Sequence, residues 1–173
     1  MNRRRALLGL FVAAFIVLSL AFAVTRISLN TLSEPSWLET YAATKAKRWL
    51  VAREARGAVA LRPPNNPSTV AIGEMQFRAS CAACHGLDGR TPSDVGRWMY
   101  PRASDLGSAA VQEWSDAELF WIIKHGIRLT GMPGFGKIHP DERIWHLVYY
   151  VRTLPTDKTR ETPLKSVRQG SGG

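Results

Sequence analysis

Cysteine is nearly absent from this chain, and the two cysteines that it has lie within one five-residue stretch. Cys81 and Cys84 are separated by two alanines, and His85 follows directly. No cysteine remains for a disulfide framework. A structural zinc site needs about four ligands, and there is no second cysteine pair to complete one. A thioredoxin-like dithiol is disfavoured because no βαβ pattern surrounds the pair.

An excess of acidic residues is lacking as well, and uncharged runs are few. The one uncharged run of membrane-spanning length covers Ala6 to Val24, and the formal net charge is +9. Residues 68–155 hold nine basic and nine acidic residues, so the positive excess lies at the two ends of the chain, chiefly beside the apolar run. This distribution favours contact with anionic membrane lipids over nucleic acid, for which no binding motif is present.

The stretch Cys81-Ala82-Ala83-Cys84-His85 is the most informative part of the sequence. Two cysteines three positions apart with a histidine after the second form the attachment signature of a c-type haem. Positions i, i+3 and i+4 of a helix share one face, so the three side chains can reach one object. We therefore predict one covalent haem c, attached through Cys81 and Cys84, with His85 as an iron ligand.

A candidate for the opposite iron ligand lies in the Gly/Pro-rich stretch from Leu129 to Gly136. Met132 is in this stretch, and a thioether opposite a histidine raises the reduction potential of a haem. Most methionines only fill core space, which is the plain alternative. Met99 and His125 are the rival ligands. His139 and His146 fit more simply into helices or their ends.

These residues give the chain a resemblance to membrane-anchored class I c-type cytochromes with a single haem, over about residues 68–154. Gly73 and Phe77 precede the haem motif, and Leu147 and Tyr150 follow the methionine loop. In that family the equivalent residues form a close crossing of the first and last helices. The resemblance implies an all-α domain around a covalent haem, preceded by a transmembrane helix and an amphipathic helix. It also implies a proline carbonyl that orients the ligating histidine, for which Pro101 is the named candidate and Pro92 the alternative.

The chain divides into five predicted segments, which are a basic N-terminus (1–5), a transmembrane anchor (6–25), an amphipathic helix with a Pro-rich linker (26–67), the cytochrome domain (68–155) and a disordered tail (156–173). The alternative for the apolar segment is a cleaved signal peptide, because Ala21-Phe22-Ala23 offers a small-x-small site. The apolar length favours a retained helix. By the positive-inside rule, the arginine cluster at 3–5 then stays in the cytoplasm and the haem domain faces the periplasm of a bacterial inner membrane.

A second helical pattern covers about residues 37–56, with an apolar side and an opposing basic side. The apolar side comprises Trp37, Leu38, Tyr41, Ala42, Trp49 and Leu50, and the basic side comprises Lys45, Lys47, Arg48, Arg53 and Arg56. Such a helix can lie in the membrane interface, or it can pack on the haem domain or on a partner subunit. The sequence leaves both readings open.

Two further helices are predicted from their end signals. Ser115 and Glu118 have capping-box spacing at the start of a helix that runs to about His125. Pro140 suits the first position of the last helix, which Pro155 ends. Ser68 is the predicted cap of the helix over 69–80, and residues 86–113 are predicted to be loop. In this loop Arg90, Arg97 and Arg102 are candidate partners of the haem propionates, with Arg102 favoured.

With a histidine and a methionine on the iron, no position remains for a substrate, and one-electron transfer is the remaining chemistry. We therefore predict a tethered electron-transfer protein and no enzyme on its own. It would be a carrier or the cytochrome subunit of a respiratory complex, with a membrane redox partner. The alternatives are a peroxidase-like haem enzyme, a haem-based sensor with a labile sixth ligand, and a thiol oxidoreductase.

Overall fold

The computed structural model describes residues 3–25, 30–57 and 62–154. The predicted disordered tail, Pro155 and the first two residues of the basic N-terminus lie outside these ranges. The described residues contain no β-strand, in agreement with the all-α prediction. Their helices are α1 (Arg3–Thr25), α2 (Trp37–Ala55), α3 (Pro67–Ser80), α4 (Ala82–His85), α5 (Asp94–Trp98), α6 (Ala109–Gln112), α7 (Asp116–His125), a short 3₁₀ helix (Phe135–Lys137) and α8 (Asp141–Thr153).

The chain falls into two compact units, which are residues 1–37 and 38–173. The first unit is mainly α1, whose segment Arg3–Phe22 is long and apolar enough to cross a membrane. A signal sequence near the N-terminus can meet the same criteria of length and composition. The helix starts at Arg3, so the three arginines form its first turn and precede the apolar residues.

In the second unit, α3 crosses α8 at a point where neither helix has room for more side chain. A Cβ atom on Gly73 would lie 2.0 Å from the backbone oxygen of His146. Beside this point the rings of Phe77 and Tyr150 meet with centroids 5.1 Å apart, and Leu147 is fully buried. This is the crossing that the resemblance implied, and it sets the direction in which α3 delivers Cys81.

The last helix is the centre of the core, because eight consecutive residues of α8, from Ile144 to Val151, are buried. A helix is buried on every side only when other elements cover each of its faces. α3 covers one face, and α7 covers another through Phe120, whose ring stacks on Trp145 at 4.6 Å. The segment directly before α3 covers a third face. Arg62 lies over the Trp145 ring at 4.4 Å, and the Tyr149 hydroxyl donates to the Pro63 carbonyl at 2.7 Å.

Helix α2 packs on this domain through a face that the sequence did not predict. Its buried residues are Val51 and Ala55, and Arg48 pairs with Glu113 at 3.0 Å and lies over the Trp114 ring. The predicted apolar side, which includes Tyr41 and Trp49, is exposed. The predicted separation of basic and aromatic sides was wrong. Lys45 and Arg53 lie over the rings of Tyr41 and Trp49. The packed face is formed by the smaller residues Val51 and Ala55.

Several helix ends agree with their sequence signals, and others differ. Ser115 and Glu118 form the predicted capping box of α7. Asn66, and not Ser68, caps α3: its side chain accepts from the backbone N–H groups of Ser68 and Thr69, and Pro67 takes the first helical position. The segment predicted as loop contains α5, which begins because the Ser93 side chain accepts from the Gly96 N–H.

The crossing of α3 and α8 predicts a large effect of a single methyl group. Gly73→Ala would place Cβ against a helix backbone that cannot move aside, so it should destabilise the protein by at least about 2 kcal/mol. Gly57→Ala is the control, because a Cβ there meets nothing within 4 Å. Urea denaturation of the haem-loaded protein measures both. Equal stability of the two variants would contradict the close crossing.

Candidate functional site

The two cysteines and the histidine lie at the junction of α3 and α4. Cys81 ends α3 and also caps α4, and its carbonyl accepts from the N–H groups of Cys84 at 3.1 Å and His85 at 3.0 Å. The helical path therefore breaks at Cys81 and restarts as a single turn. This turn keeps Cys81, Cys84 and His85 within one local unit.

The imidazole of His85 is oriented by a backbone carbonyl. Its Nδ1 lies 2.9 Å from the carbonyl oxygen of Ser104. A carbonyl oxygen can only accept, so Nδ1 carries the proton and Nε2 is the nitrogen with a free lone pair. The predicted source of this carbonyl, Pro101, was wrong by three residues. The Ala103 N–H donates to the Gly96 carbonyl at 2.9 Å, and this bond brings Ser104 to the histidine.

The backbone after the motif is folded tightly against it. Ser93 donates from its hydroxyl to the Ala83 carbonyl at 2.5 Å and from its N–H to the Cys84 carbonyl at 3.1 Å. A Cβ on Gly96 would lie 2.0 Å from the Cys84 carbonyl oxygen. Gly86 has φ 79° and ψ 161°, a region that only glycine readily occupies. The motif is therefore held on one side by α3 and on the other by residues 86–96.

Burial sets the protonation of the site. It raises the pKa of the Cys81 thiol to about 12, and the neighbouring Cys84 adds to this shift. The thiolate is the reactive form of cysteine, so this thiol is a poor redox nucleophile at neutral pH, which disfavours the thiol oxidoreductase. Burial also lowers the pKa of His85, and the hydrogen bond to Ser104 opposes that shift in part. The imidazole is therefore neutral at pH 7, which is the state that binds a metal.

The predicted methionine lies in a loop that is pressed against the end of α7. Gly126 ends this helix with φ 70° and ψ −173°, again a conformation for glycine alone. A Cβ on Gly126 would lie within 2.7 Å of backbone atoms of Met132, Pro133 and Gly134. The Ile127 N–H donates to the Met132 carbonyl at 3.3 Å, and the Met132 side chain is half-buried against the core.

The two rival ligands have different surroundings. His125 is exposed, and its ring lies 5.0 Å from the Trp121 ring on the same helix. Met99 lies beside the loop that carries Met132. Its Sδ is so close to Gly131 that a Cβ added there would lie 2.8 Å from it. The sequence offered no signal for this contact, which joins segments more than 30 residues apart. Met99 therefore supports the backbone next to Met132.

The three candidate arginines have different surroundings. Arg97 pairs with Asp94 on the surface of α5. The backbone N–H of Arg90 donates to the Asp88 carboxylate at 2.9 Å, and Arg102 is exposed. The preference for Arg102 as a propionate partner stays a prediction.

The donor set fits an iron porphyrin. In the described ranges no group of three or more His, Cys, Asp or Glu residues could hold a metal ion. A porphyrin brings four nitrogen ligands of its own and needs only axial ligands from the protein. One oriented imidazole and one half-buried thioether would supply the axial ligands, and the two thiols of the motif would supply covalent attachment.

The family comparison agrees with this chemistry. Residues 68–151 match the family model described as cytochrome c oxidase, cbb3-type, subunit III. A solved chain of a reducing HAO-like protein complex from Kuenenia stuttgartiensis is similar to this chain with a TM-score of 0.51 and 22% identity. The similarity covers 56% of this chain and 48% of that one, and at this identity it shows the fold alone. No curated protein matches the chain.

The end of α7 generates a prediction about the methionine loop. Gly126→Ala would force a side chain into a conformation that favours glycine and into contact with the backbone of three residues. We expect a loss of at least about 2 kcal/mol of stability, measured by urea denaturation. The exposed neighbour variant Arg128→Ala should stay within about 0.5 kcal/mol of the parent. A stable Gly126→Ala protein would show that the loop is not held in this way.

Proposed function

Because residues 68–151 form a c-type cytochrome domain, whose cofactor is covalent haem c, we propose that this chain is a membrane-tethered electron carrier or the cytochrome subunit of a membrane redox complex. The observation that carries the proposal is the hydrogen bond from His85 Nδ1 to the Ser104 carbonyl. It leaves Nε2 as the only nitrogen of this ring that can bind iron, on the residue that directly follows Cys84. A carbonyl or carboxylate at the far nitrogen is the usual support of a metal-binding histidine.

In this proposal Cys81 and Cys84 form the two thioether bonds, and His85 and Met132 are the axial ligands. The bound haem supplies one-electron transfer between its ferrous and ferric states. Ser104 holds the proton of His85 at Nδ1, and the burial of His85 keeps its pKa low, so the ligand stays neutral. The glycines at 126 and 134 allow the Met132 loop to lie directly against the backbone at the end of α7.

The axial assignment argues against catalysis by the isolated chain. An enzyme such as a peroxidase needs an open iron position, and a sensor needs a labile one. The Met132 carbonyl accepts from the Ile127 N–H, and Met99 packs against Gly131, the residue before Met132. A loop restrained on both sides favours a ligand that remains bound in both oxidation states, as a carrier requires.

The tether rests on α1 and its charges. We propose that residues 6–25 cross the bacterial cytoplasmic membrane once, with Arg3, Arg4 and Arg5 in the cytoplasm and the haem domain in the periplasm. The helix over Arg3–Phe22 has the required length and composition. Tethering would raise the effective concentration of the haem domain near a membrane redox partner. The neutral charge of residues 68–155 implies weak long-range steering toward that partner.

The first test concerns covalent attachment. The full chain, produced with haem-maturation machinery, should keep its haem colour on a denaturing gel. The double variant Cys81→Ala/Cys84→Ala should lose the colour under the same conditions, because no thioether can form. Thiol-specific labelling of the denatured parent should detect no free cysteine. A colourless parent with two reactive thiols would overturn the proposal and support thiol chemistry.

The second test concerns the sixth ligand. Met132→Ala should open the iron, so the ferrous protein should bind carbon monoxide and its reduction potential should fall, because a thioether raises the potential. His125→Ala should leave both properties unchanged, since this residue is exposed and lies on Trp121. Met99→Leu keeps the packing volume and should also leave the iron closed. Avid carbon monoxide binding by the parent protein would instead favour the peroxidase-like or sensor function.

A further inference from the structure

The packing of α2 gives this helix two distinct faces. Its inner face, with Arg48, Val51 and Ala55, lies on the cytochrome domain. A second face, which we call the outer face, is exposed along its length. The outer face consists of residues three or four positions apart, which are Leu38, Tyr41, Lys45, Trp49 and Arg53.

The outer face combines large apolar groups with cations. Leu38, Tyr41 and Trp49 are each about 60% exposed, with values of 58%, 58% and 62%. The Lys45 ammonium lies 5.6 Å from the centroid of the Tyr41 ring, and the Arg53 guanidinium lies 5.1 Å from that of Trp49. Isolated exposed apolar residues are common, but a row of them on one helix marks an interaction surface.

The acidic residues of α2 do not cancel this charge. The Glu39 carboxylate accepts from the Tyr100 hydroxyl at 3.2 Å, so it is drawn toward the cytochrome domain. Glu54 pairs with Arg53 at 2.7 Å, but both side chains are about half exposed, and such pairs are weak and screened by salt. Lys45 and Arg53, with Arg56 just beyond the helix, therefore present a positive surface.

We propose that the outer face of α2 docks on the anionic headgroups of the membrane. The proposal rests on the proposed tether and adds a second, reversible contact to it. Aromatic rings with polar edges and long cationic side chains are the residues that occupy the interface between headgroups and acyl chains. The row from Leu38 to Arg53 is about 23 Å long at 1.5 Å per residue, so the whole helix can lie along the surface.

Two observations favour lipid over a protein partner. The charge of the outer face is complementary to an anionic leaflet, and the alternation of rings and cations suits a surface of dispersed headgroups. The 11 residues between Thr25 and Trp37 also limit the distance of α2 from the end of α1. Fully extended, they span about 40 Å, so α2 stays near the membrane that α1 crosses.

The docked helix would orient the cytochrome domain. Because α2 is joined to the domain through Arg48, Glu113 and the buried Val51, the two move together. Contact of the outer face with lipid would hold one side of the domain toward the membrane and leave the far side accessible to soluble partners.

The test uses the full, haem-loaded chain in lipid vesicles. Both native cysteines are in thioether bonds in the proposed protein, so an introduced cysteine gives a unique site for a nitroxide spin label. Ala42→Cys places the label on the outer face, and Ala43→Cys places it one residue further along the same helix, turned away from that face. Both positions are exposed alanines. Spectra are recorded with the haem reduced, in vesicles of phosphatidylcholine with and without phosphatidylglycerol.

In vesicles that contain phosphatidylglycerol, the label at residue 42 should become accessible to oxygen and protected from a water-soluble nickel chelate. The label at residue 43 should stay accessible to the chelate. High salt or phosphatidylcholine alone should reverse the protection at residue 42. Replacing Lys45 and Arg53 by glutamine should reduce the ratio of docked to undocked helix by roughly fivefold for each cation removed.

Three outcomes would overturn the inference. If the protein floats with the vesicles while residue 42 stays exposed to the chelate, the tether stands and the docking is wrong. If the protein does not float with either kind of vesicle, the tether and the docking both fail. If residue 42 becomes protected only after a membrane-protein extract is added, the outer face binds a protein partner and not lipid.

Discussion

The contact between the backbones of α3 and α8 is the constraint on which the rest of the domain depends. With no side chain at Gly73, the two helices approach until the His146 carbonyl lies where a Cβ would be. The approach fixes the direction of α3, and α3 ends at Cys81, whose carbonyl starts the turn that carries His85. The position of the histidine therefore follows from a crossing that lies outside the site itself. The hydrogen bond to Ser104 then sets the orientation of the ring within that position.

The sequence predicted those parts of the molecule that depend on local spacing. The haem motif, the Ser115–Glu118 capping box and the methionine loop each lie within a few residues of chain, and their residue types carry the chemistry. The crossing at Gly73, Phe77 and Tyr150 is a long-range contact, and it was predictable only because the chain resembles a known family. The role of Ser104 could not be predicted from the sequence, since the group that orients His85 is a backbone carbonyl, which every residue has. The contact of Met99 with Gly131 left no pattern either.

The error in α2 has a physical origin that applies to other amphipathic helices. Its aromatic residues were assigned to one apolar side, opposed by the cations, because they are the largest apolar groups on the helix. In the structure two small residues, Val51 and Ala55, form the packed face, since they allow the helix to approach the domain closely. The guanidinium of Arg48 completes this face by lying over the Trp114 ring. Hydrophobicity alone therefore did not identify which face is buried, because both faces carry apolar residues.

The segment that was predicted as a linker has a consequence for anyone who wishes to prepare the haem domain as a soluble fragment. Arg62 covers the Trp145 ring, and both Arg62 and Arg152 pair with Asp116, at the first position of α7. Pro63 accepts the hydroxyl of Tyr149. A fragment cut at the apparent domain boundary near residue 68 would expose an indole and a phenol and would separate Asp116 from one of its two cations. Such a fragment should begin ahead of α2, so that the contacts of Arg48, Val51, Arg62 and Pro63 are all kept.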